Sequence, residues 1–357
     1  MEKVLNSSAL RFPNACIEIK TNHLQYYRYL KSYFKDIEDG GCKDFDIEVE
    51  AYWESSKSLW KEHLLKLKTN SDFLQIGGNT FVNNRRIITV RKIMRKIKVV
   101  YDFSFYNKKI QLKVFILNKP VKNFIKYRLM SSNEEEIFFE LTYPLLYYPL
   151  FWFLENMHGM YTLHASVVTY KGKAVVLCGL EGIGKTSLAL SLLESGGKFI
   201  SDNLIFYDKE YVYPCYELVR INKSDGIDKW QNKINRVDSL NGCKGFYRIN
   251  PGDAINKVKP GIFIFPCFSS SFKEELLSLE DTVGKAVDLS RIPPEIGNYS
   301  EYHTLYNILL SLRNPSDLRY STLADLLKGT KIYRIGMCKS SGLNSNAQRV
   351  KEIISNT

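Results

Sequence analysis

Several absences narrow the chain first. Its seven cysteines (Cys16, Cys42, Cys178, Cys215, Cys243, Cys267, Cys338) are odd in number, and none sits at C-x-x-C spacing. That argues against both a zinc site and a disulfide framework, and fits a reducing, cytoplasmic setting in which thiols serve as small apolar side chains. Met1 to Cys16 holds no apolar core followed by small residues, so no signal peptide is expected. No membrane span is expected either. The one long apolar stretch, Ile137 to Leu154, contains Glu140, Pro144 and Pro149 and runs into Glu155, which predicts a core helix entered through a proline turn. No internal repeat or low-complexity tract stands out.

Acid is scarce in one place. Between Asn84 and Arg128 there are fourteen Lys or Arg residues against Asp102 alone, a segment charge of +13 that leaves −1 for the rest of a chain whose total is +12. Such a field would attract an acidic or phosphate-bearing partner, nucleic acid among them, and a solvated basic face is the alternative reading. At 357 residues, 45% hydrophobic and 25% charged, the chain has an ordinary globular composition and room for two domains.

The most informative stretch runs from Lys173 to Asp208. Ala174 to Cys178 is a continuous apolar run of the kind a buried parallel strand needs. Gly179, Leu180, Glu181, Gly182, Ile183, Gly184, Lys185 and Thr186 then match the phosphate-loop spacing G-x-x-x-x-G-K-[ST], and Ser187 to Glu194 continues at helical spacing. Gly182 and Gly184 let backbone amides turn onto a polyphosphate, and the following helix adds the positive end of its dipole. The Lys185 ammonium would neutralise charge between β and γ phosphates, while the Thr186 hydroxyl would hold Mg²⁺.

Along the chain, Thr21 to Glu38 reads as a helix behind a Thr21 or Asn22 cap, Asp44 to Trp53 as a half-buried strand, and the residues after Ser55 as a short helix bearing Leu59, Trp60, Leu64 and Leu67. Period-two runs from Phe73 to Leu117, with a turn at Asn107 and Lys108, predict a smaller α+β domain dominated by an antiparallel sheet over residues 1–133. The polar SSNEEE at Ser131 to Glu136 is the linker candidate, and an α/β domain follows over residues 134–357. In it, Tyr143 to Met157 reads as a buried helix, Tyr161 to Thr169 and Phe199 to Tyr207 as strands, and Asn222 to Pro260 as a long polar loop able to close over substrate.

Transfer of phosphate to a hydroxyl needs a carboxylate that can take the acceptor's proton. Asp202 is the candidate: it lies seventeen residues after Lys185, enough for a helix, a glycine turn and a returning strand, and the triplet Ser201, Asp202, Asn203 is polar inside an otherwise apolar run. An ordinary strand end is the alternative. His164 interrupts a neighbouring strand, where a histidine is more often a hydrogen-bonded core residue than a catalyst. His23, His63, His158 and His303 lack partners at metal-ligand spacing.

The order of LHAS at Leu163 to Ser166, GLEGIGKT, ISDN at Ile200 to Asn203, VYP at Val212 to Pro214 and ELVRI at Glu217 to Ile221 resembles the HPr kinase-related P-loop family, whose nucleotide-binding fold is shared with phosphoenolpyruvate carboxykinases. The resemblance covers roughly Tyr143 to Ile335. It implies an ATP-dependent kinase using Mg²⁺, with Asp202 aligned to the first of the family's paired aspartates, which act in acceptor activation and metal binding, and His164 aligned to a histidine near the phosphates. The nucleotide would lie on Gly179 to Ser187. Glu217 and Arg220 match a recurring Glu and Arg near substrate or phosphate, for which a structural ion pair is the alternative. Asn203 stands where the family has its second aspartate, which leaves the reverse, phosphate-removing reaction open. The acceptor hydroxyl, an oligomeric state and the choice among ATP, GTP and pyrophosphate also stay open, as do an RNA-directed or nucleic-acid-binding role for the basic segment, with Tyr101, Phe103, Phe105 and Tyr106 interleaved in it, and a nucleotide-gated switch without transfer.

Overall fold

Period-two alternation builds the first of the four sheets found among the described residues. The structure is a computed structural model that describes residues 5–54, 72–76, 78–83, 85–93, 97–117, 134–222, 227–237, 244–310 and 316–357, with isolated positions between 58 and 69. The chain forms two units, one of Met1–His158 with Ser239–Gly242 and Glu301–Asn314, the other of Gly159–Asp238, Cys243–Ser300 and Pro315–Thr357.

The first unit holds β1 (Asn6–Phe12), β2 (Ala15–Thr21), β3 (Ile47–Glu54), β4 (Leu74–Ile76), β5 (Thr80–Asn83), β6 (Arg86–Ile93), β7 (Ile97–Tyr106) and β8 (Lys109–Leu117), in the order β1-β2-β3-β8-β7-β6-β5-β4. Every neighbouring pair is antiparallel except β2 with β3 and β3 with β8. Asn107 and Lys108 take left-handed φ of 52° and 61°, the geometry a two-residue hairpin needs, so the expected turn is there. Ile17, Ile19, Ile47, Val49, Ile110, Leu112 and Val114 bury one face.

Four basic side chains of the 84–128 segment meet acids, Asp102 within the segment and three others elsewhere in the unit. Arg86 Nε donates to Asp102 Oδ1 at 2.6 Å, Arg91 reaches Glu301 at 3.0 Å, Lys113 reaches Glu50 at 3.3 Å, and Lys109 pairs with Asp44. Tyr101 and Phe103 are buried and Phe103 stacks on Tyr306, so these two rings are core and not free to stack on bases. Arg95, Lys96, Lys119, Lys122, Lys126 and Arg128 lie outside the described residues, as do Ser55, Leu59, Trp60, Leu64 and Leu67 of the expected short helix.

Helix α1 (Leu24–Tyr33) is capped by His23, whose side chain accepts from the Tyr26 amide, and not by Thr21 or Asn22. Thr21 ends β2, and its hydroxyl accepts from the His23 amide at 3.2 Å. The expected linker also differs: 131–133 are outside the described residues, while α2 (Glu134–Thr142) begins within SSNEEE and continues through a π turn, α3 (Tyr148–Phe153) and a second π turn to His158. Residues 134–158 belong to the first unit because Phe138 packs its ring against Tyr26, Tyr29, Trp53 and His23; the second unit starts at Gly159, where the sequence expectation was residue 134. Glu136–His158 is long and apolar enough to cross a membrane, and 94% of that window is buried inside the fold, as a core helix is.

The second unit carries β9 (Tyr161–Leu163), β10 (Ala165–Tyr170), β11 (Lys173–Cys178), β12 (Phe199–Ser201), β13 (Ile205–Tyr207), β14 (Val212–Pro214), β15 (Val219–Asn222), β16 (Ile234–Arg236), β17 (Lys244–Ile249), β18 (Pro260–Ser269), β19 (Lys273–Leu276) and β20 (Lys331–Cys338). The main sheet runs β12-β10-β11-β18-β20-β19, with β11, β18 and β20 parallel. Val175, Leu177, Ile262 and Ile264 pack on one side with Leu188, Leu192 and Leu193 of α4 (Lys185–Glu194). Val176, Cys178, Phe263 and Phe265 pack on the other with Val283, Ala286 and Val287 of α5 (Leu279–Arg291). Cover on both faces is why β11 reads as an unbroken apolar run. The architecture is thus mixed α/β with several sheets.

Three expectations about this unit change. Tyr161 to Thr169 is two strands broken at His164, and Phe199 to Tyr207 is two strands broken at Asp202 to Leu204, where Asn203 takes φ of 67°. In each case one piece, β9 before His164 and β13 after Leu204, joins a different sheet, β14-β13-β9. The expected loop from Asn222 to Pro260 contains a short turn at Ile227–Trp230 and strands β16 and β17, which pair into the sheet β15-β17-β16. Residues 223–226 and 238–243 of it are outside the description.

After α4 the chain turns at Gly197, whose missing Cβ would lie 2.2 Å from Thr169 O and 2.9 Å from Leu192 O. Both are backbone atoms in packed elements and cannot swing aside. Gly197→Ala is therefore expected to lower unfolding free energy by about 1–3 kcal/mol, read as a lower denaturant midpoint; an unchanged midpoint would contradict the packing described here.

Candidate functional site

Strand β11 ends at Cys178, and the chain then loops through Gly179 to Gly184 before α4 begins at Lys185. Gly182 and Gly184 have φ of 77° and 94°, the left-handed region in which a side chain is strained. Gly184 is the N-cap of α4 and supplies no side chain to the first-turn amides, so the positive end of the helix dipole is open to an anion. Leu180 is half exposed, Ile183 is buried in the core below the loop, and Glu181 reaches Lys244 at 3.6 Å. Lys185 is buried, and its Nζ donates to Gly179 O at 2.9 Å and Leu180 O at 3.0 Å. Burial lowers its pKa against the pull of Cys178, Asp202 and Glu181.

The strand break at Asp202 brings its carboxylate to the loop. Thr186 Oγ1 donates to Asp202, lying 3.0 Å from Oδ1 and 2.9 Å from Oδ2. Ser166 Oγ, one strand over, also donates to Asp202 Oδ1. Asp202 is 5% exposed, so hydroxyl donors do much of what solvent would otherwise do for it. Next in the chain, Asn203 Nδ2 donates to Glu217 Oε2 at 2.6 Å, while Arg220 reaches Glu295 Oε1 at 3.3 Å.

His164 occupies the other strand break. Its backbone amide donates to Ser290 Oγ on α5 at 3.0 Å. Its ring is 3% exposed, and Nδ1 has no protein hydrogen-bond partner. Burial, with Lys185 and Arg220 nearby, pushes its pKa down to about 3. The ring is therefore neutral at physiological pH.

These groups line one cleft of about 170 Å³, in which His164, Lys185, Thr186, Ser187, Asp202, Asn203 and Arg220 meet Glu181, Leu190, Trp230 and Lys244. Among the described residues, no group of three or more His, Cys, Asp or Glu side chains is placed to hold a metal. The donors present are instead a hydroxyl and a carboxylate, Thr186 and Asp202. Two hard oxygen ligands fit Mg²⁺, which keeps several waters and takes phosphate oxygens as further ligands.

No family model matches the chain, and no curated protein matches it. Among solved structures, it is similar to the HPr(Ser) kinase/phosphatase from Coxiella burnetii at 10% identity and a TM-score of 0.25, over 55% of this chain and 99% of that one. Likeness at that level does not establish a shared fold, so the fold stated above stands on strand order and loop geometry.

Four lining or supporting residues had no role in the sequence reading. Ser166 lay within the LHAS stretch but without a stated role. Trp230, Lys244 and Glu295 come from segments distant in sequence and give no local signal.

The depressed His164 pKa sets a pH dependence. The folded ring binds no proton above about pH 3, whereas the unfolded ring binds one below its ordinary value of 6.5. Between those limits the unfolded state binds more protons, so stability rises with pH and is lost on acidification. His164→Gln should flatten the slope of stability against pH between 4 and 6.5, by up to ~1.4 kcal/mol per pH unit. Denaturant titrations at pH 4.5 and 7 measure it; an unchanged slope would show that His164 is protonated in the folded protein.

Proposed function

We propose that this chain is a kinase that transfers the γ-phosphate of ATP to a hydroxyl acceptor, with the triphosphate in the loop Gly179 to Ser187 and Asp202 as the base. The observation that carries the proposal is the contact of the Thr186 hydroxyl with both oxygens of buried Asp202, beside a loop in which Gly182 and Gly184 are left-handed. A carboxylate next to the hydroxyl of a phosphate loop is what proton removal from an acceptor beside a γ-phosphate calls for. The motif order shared with HPr kinase-related proteins agrees with this reading.

In the proposed step the acceptor oxygen attacks the γ-phosphorus, the bond to the β-phosphate oxygen breaks, ADP leaves, and the acceptor's proton passes to Asp202. Mg²⁺, held by Thr186 and Asp202, would neutralise β- and γ-phosphate charge. Lys185 would exchange the carbonyls of Gly179 and Leu180 for phosphate oxygens, a move that costs little because it trades one set of acceptors for a more negative one. A neutral His164 adds no charge of its own, and Arg220 and Lys244, paired with Glu295 and Glu181, would offer N–H donors along the cleft. Asn203, as a neutral amide, and Glu217, which it holds, would border the acceptor. The acceptor is a serine of a protein or peptide, or a small-molecule hydroxyl, and the +13 segment suits one that is acidic or carries phosphate.

Transfer of labelled γ-phosphate tests this. Asp202→Asn is expected to lower turnover at least ~100-fold, and Lys185→Ala to abolish it. Full activity in Asp202→Asn would remove the base from this residue even with nucleotide bound.

A further inference from the structure

We infer that Ser166 is a positioning residue: from behind the cleft it holds the Asp202 carboxylate in the orientation that proton removal needs. This role rests on the reading of Asp202 as the base and adds the group that sets its geometry.

Two hydroxyls meet Asp202, and they differ in place. Thr186, in the first turn of α4, lines the cleft and lies within reach of both carboxylate oxygens. Ser166 is fully buried on β10, and its Oγ donates to Oδ1. The cleft lining includes Asp202 and Thr186 but not Ser166. A ligand in the cleft can draw the Thr186 hydroxyl to itself, whereas Ser166 stays on the carboxylate. Whatever Ser166 does for a bound ligand it therefore does through Asp202.

The carboxylate has reason to need holding. Asp202 lies in the break between β12 and β13, next to left-handed Asn203, and not in a ladder. The terminal torsion of an aspartate is broad, so a carboxylate carried by such a turn points where its donors keep it. Ser166 is placed by contrast on a fixed frame. It pairs with Leu177 of β11, the strand that leads into the phosphate loop, and its neighbour Val167 pairs with Ser201, the residue before Asp202. One hydroxyl thus ties the base to the frame that carries the loop. Oδ2, which Ser166 does not hold, is the oxygen assigned to the acceptor's proton. Fixing a reacting group in advance removes an entropic cost from the transfer step and leaves nucleotide affinity alone.

Steady-state transfer of labelled γ-phosphate and titration calorimetry with MgATP test the assignment on the full chain. Ser166→Ala is expected to lower kcat about tenfold, with KM for ATP and the calorimetric affinity for MgATP within about twofold of wild type. In Asp202→Asn, adding Ser166→Ala should cost less than about twofold more, because a residue that works through Asp202 then has nothing to work on. An unchanged kcat in Ser166→Ala, a loss of MgATP affinity equal to the loss of kcat, or a further drop of about tenfold in the double variant would each overturn the role. Full activity in Asp202→Asn, or no transfer by wild type, would instead overturn the reading of Asp202 as the base, and the positioning role would fall with it. Should Ser166→Ala fail to fold, Ser166→Thr and Ser166→Val, which share a shape and differ in the hydroxyl, make the same comparison: the first should keep kcat near that of wild type and the second lose it, and equal rates in the two would overturn the role.

Discussion

The structure depends on burying one carboxylate. Asp202 is almost fully enclosed, and taking an ionised group out of water costs several kcal/mol unless hydrogen bonds replace the hydration. The hydroxyls of Thr186 and Ser166 supply them. Each comes from a different element, α4 and β10, while Asp202 follows β12. The core therefore has to hold a helix and two strands in fixed relation, and the two apolar layers on either side of β11 and β18 do so.

Each cation of the cleft has an acid near it, Glu181 at Lys244, Glu295 at Arg220 and Asp202 near Lys185. Lys185 sits on carbonyl oxygens, His164 stays neutral, and Arg220 is neutralised by Glu295 while still lining the cavity. Around Lys185 the acceptors are the neutral carbonyls of Gly179 and Leu180, weaker partners for an ammonium than charged oxygens. The basic segment of the first unit behaves differently from its formal charge, since Arg86, Arg91, Lys109 and Lys113 each have an acid beside them.

What could be read in the sequence was local. The glycine spacing, the strand before Gly179 and the helix after it depend on neighbouring residues, and so did the return of the chain to Asp202, whose distance from Lys185 is set by one helix and one turn. The hairpin at Asn107 and Lys108 and the mainly antiparallel sheet followed from period two. The rest was decided by contacts far apart in sequence. Phe138 belongs with the first unit because of rings on α1 and β3. His23 caps α1 because Thr21 is used by β2. Trp230 and Lys244 reach the cleft only because a segment that reads as polar loop folds into a sheet. The breaks at His164 and Asn203 were invisible to a pattern that counts apolar residues and not backbone direction.

Those two breaks form a seam. On one side Val167 pairs with Ser201, and on the other Leu163 pairs with Ile205, so two separate ladders are fastened across the same gap. Adding or removing a single residue at 164–166 or 202–204 would slide one ladder against the other and turn an entire row of inward side chains outward. The spacing of His164, Ser166 and Asp202 is therefore locked by chain length as much as by chemistry.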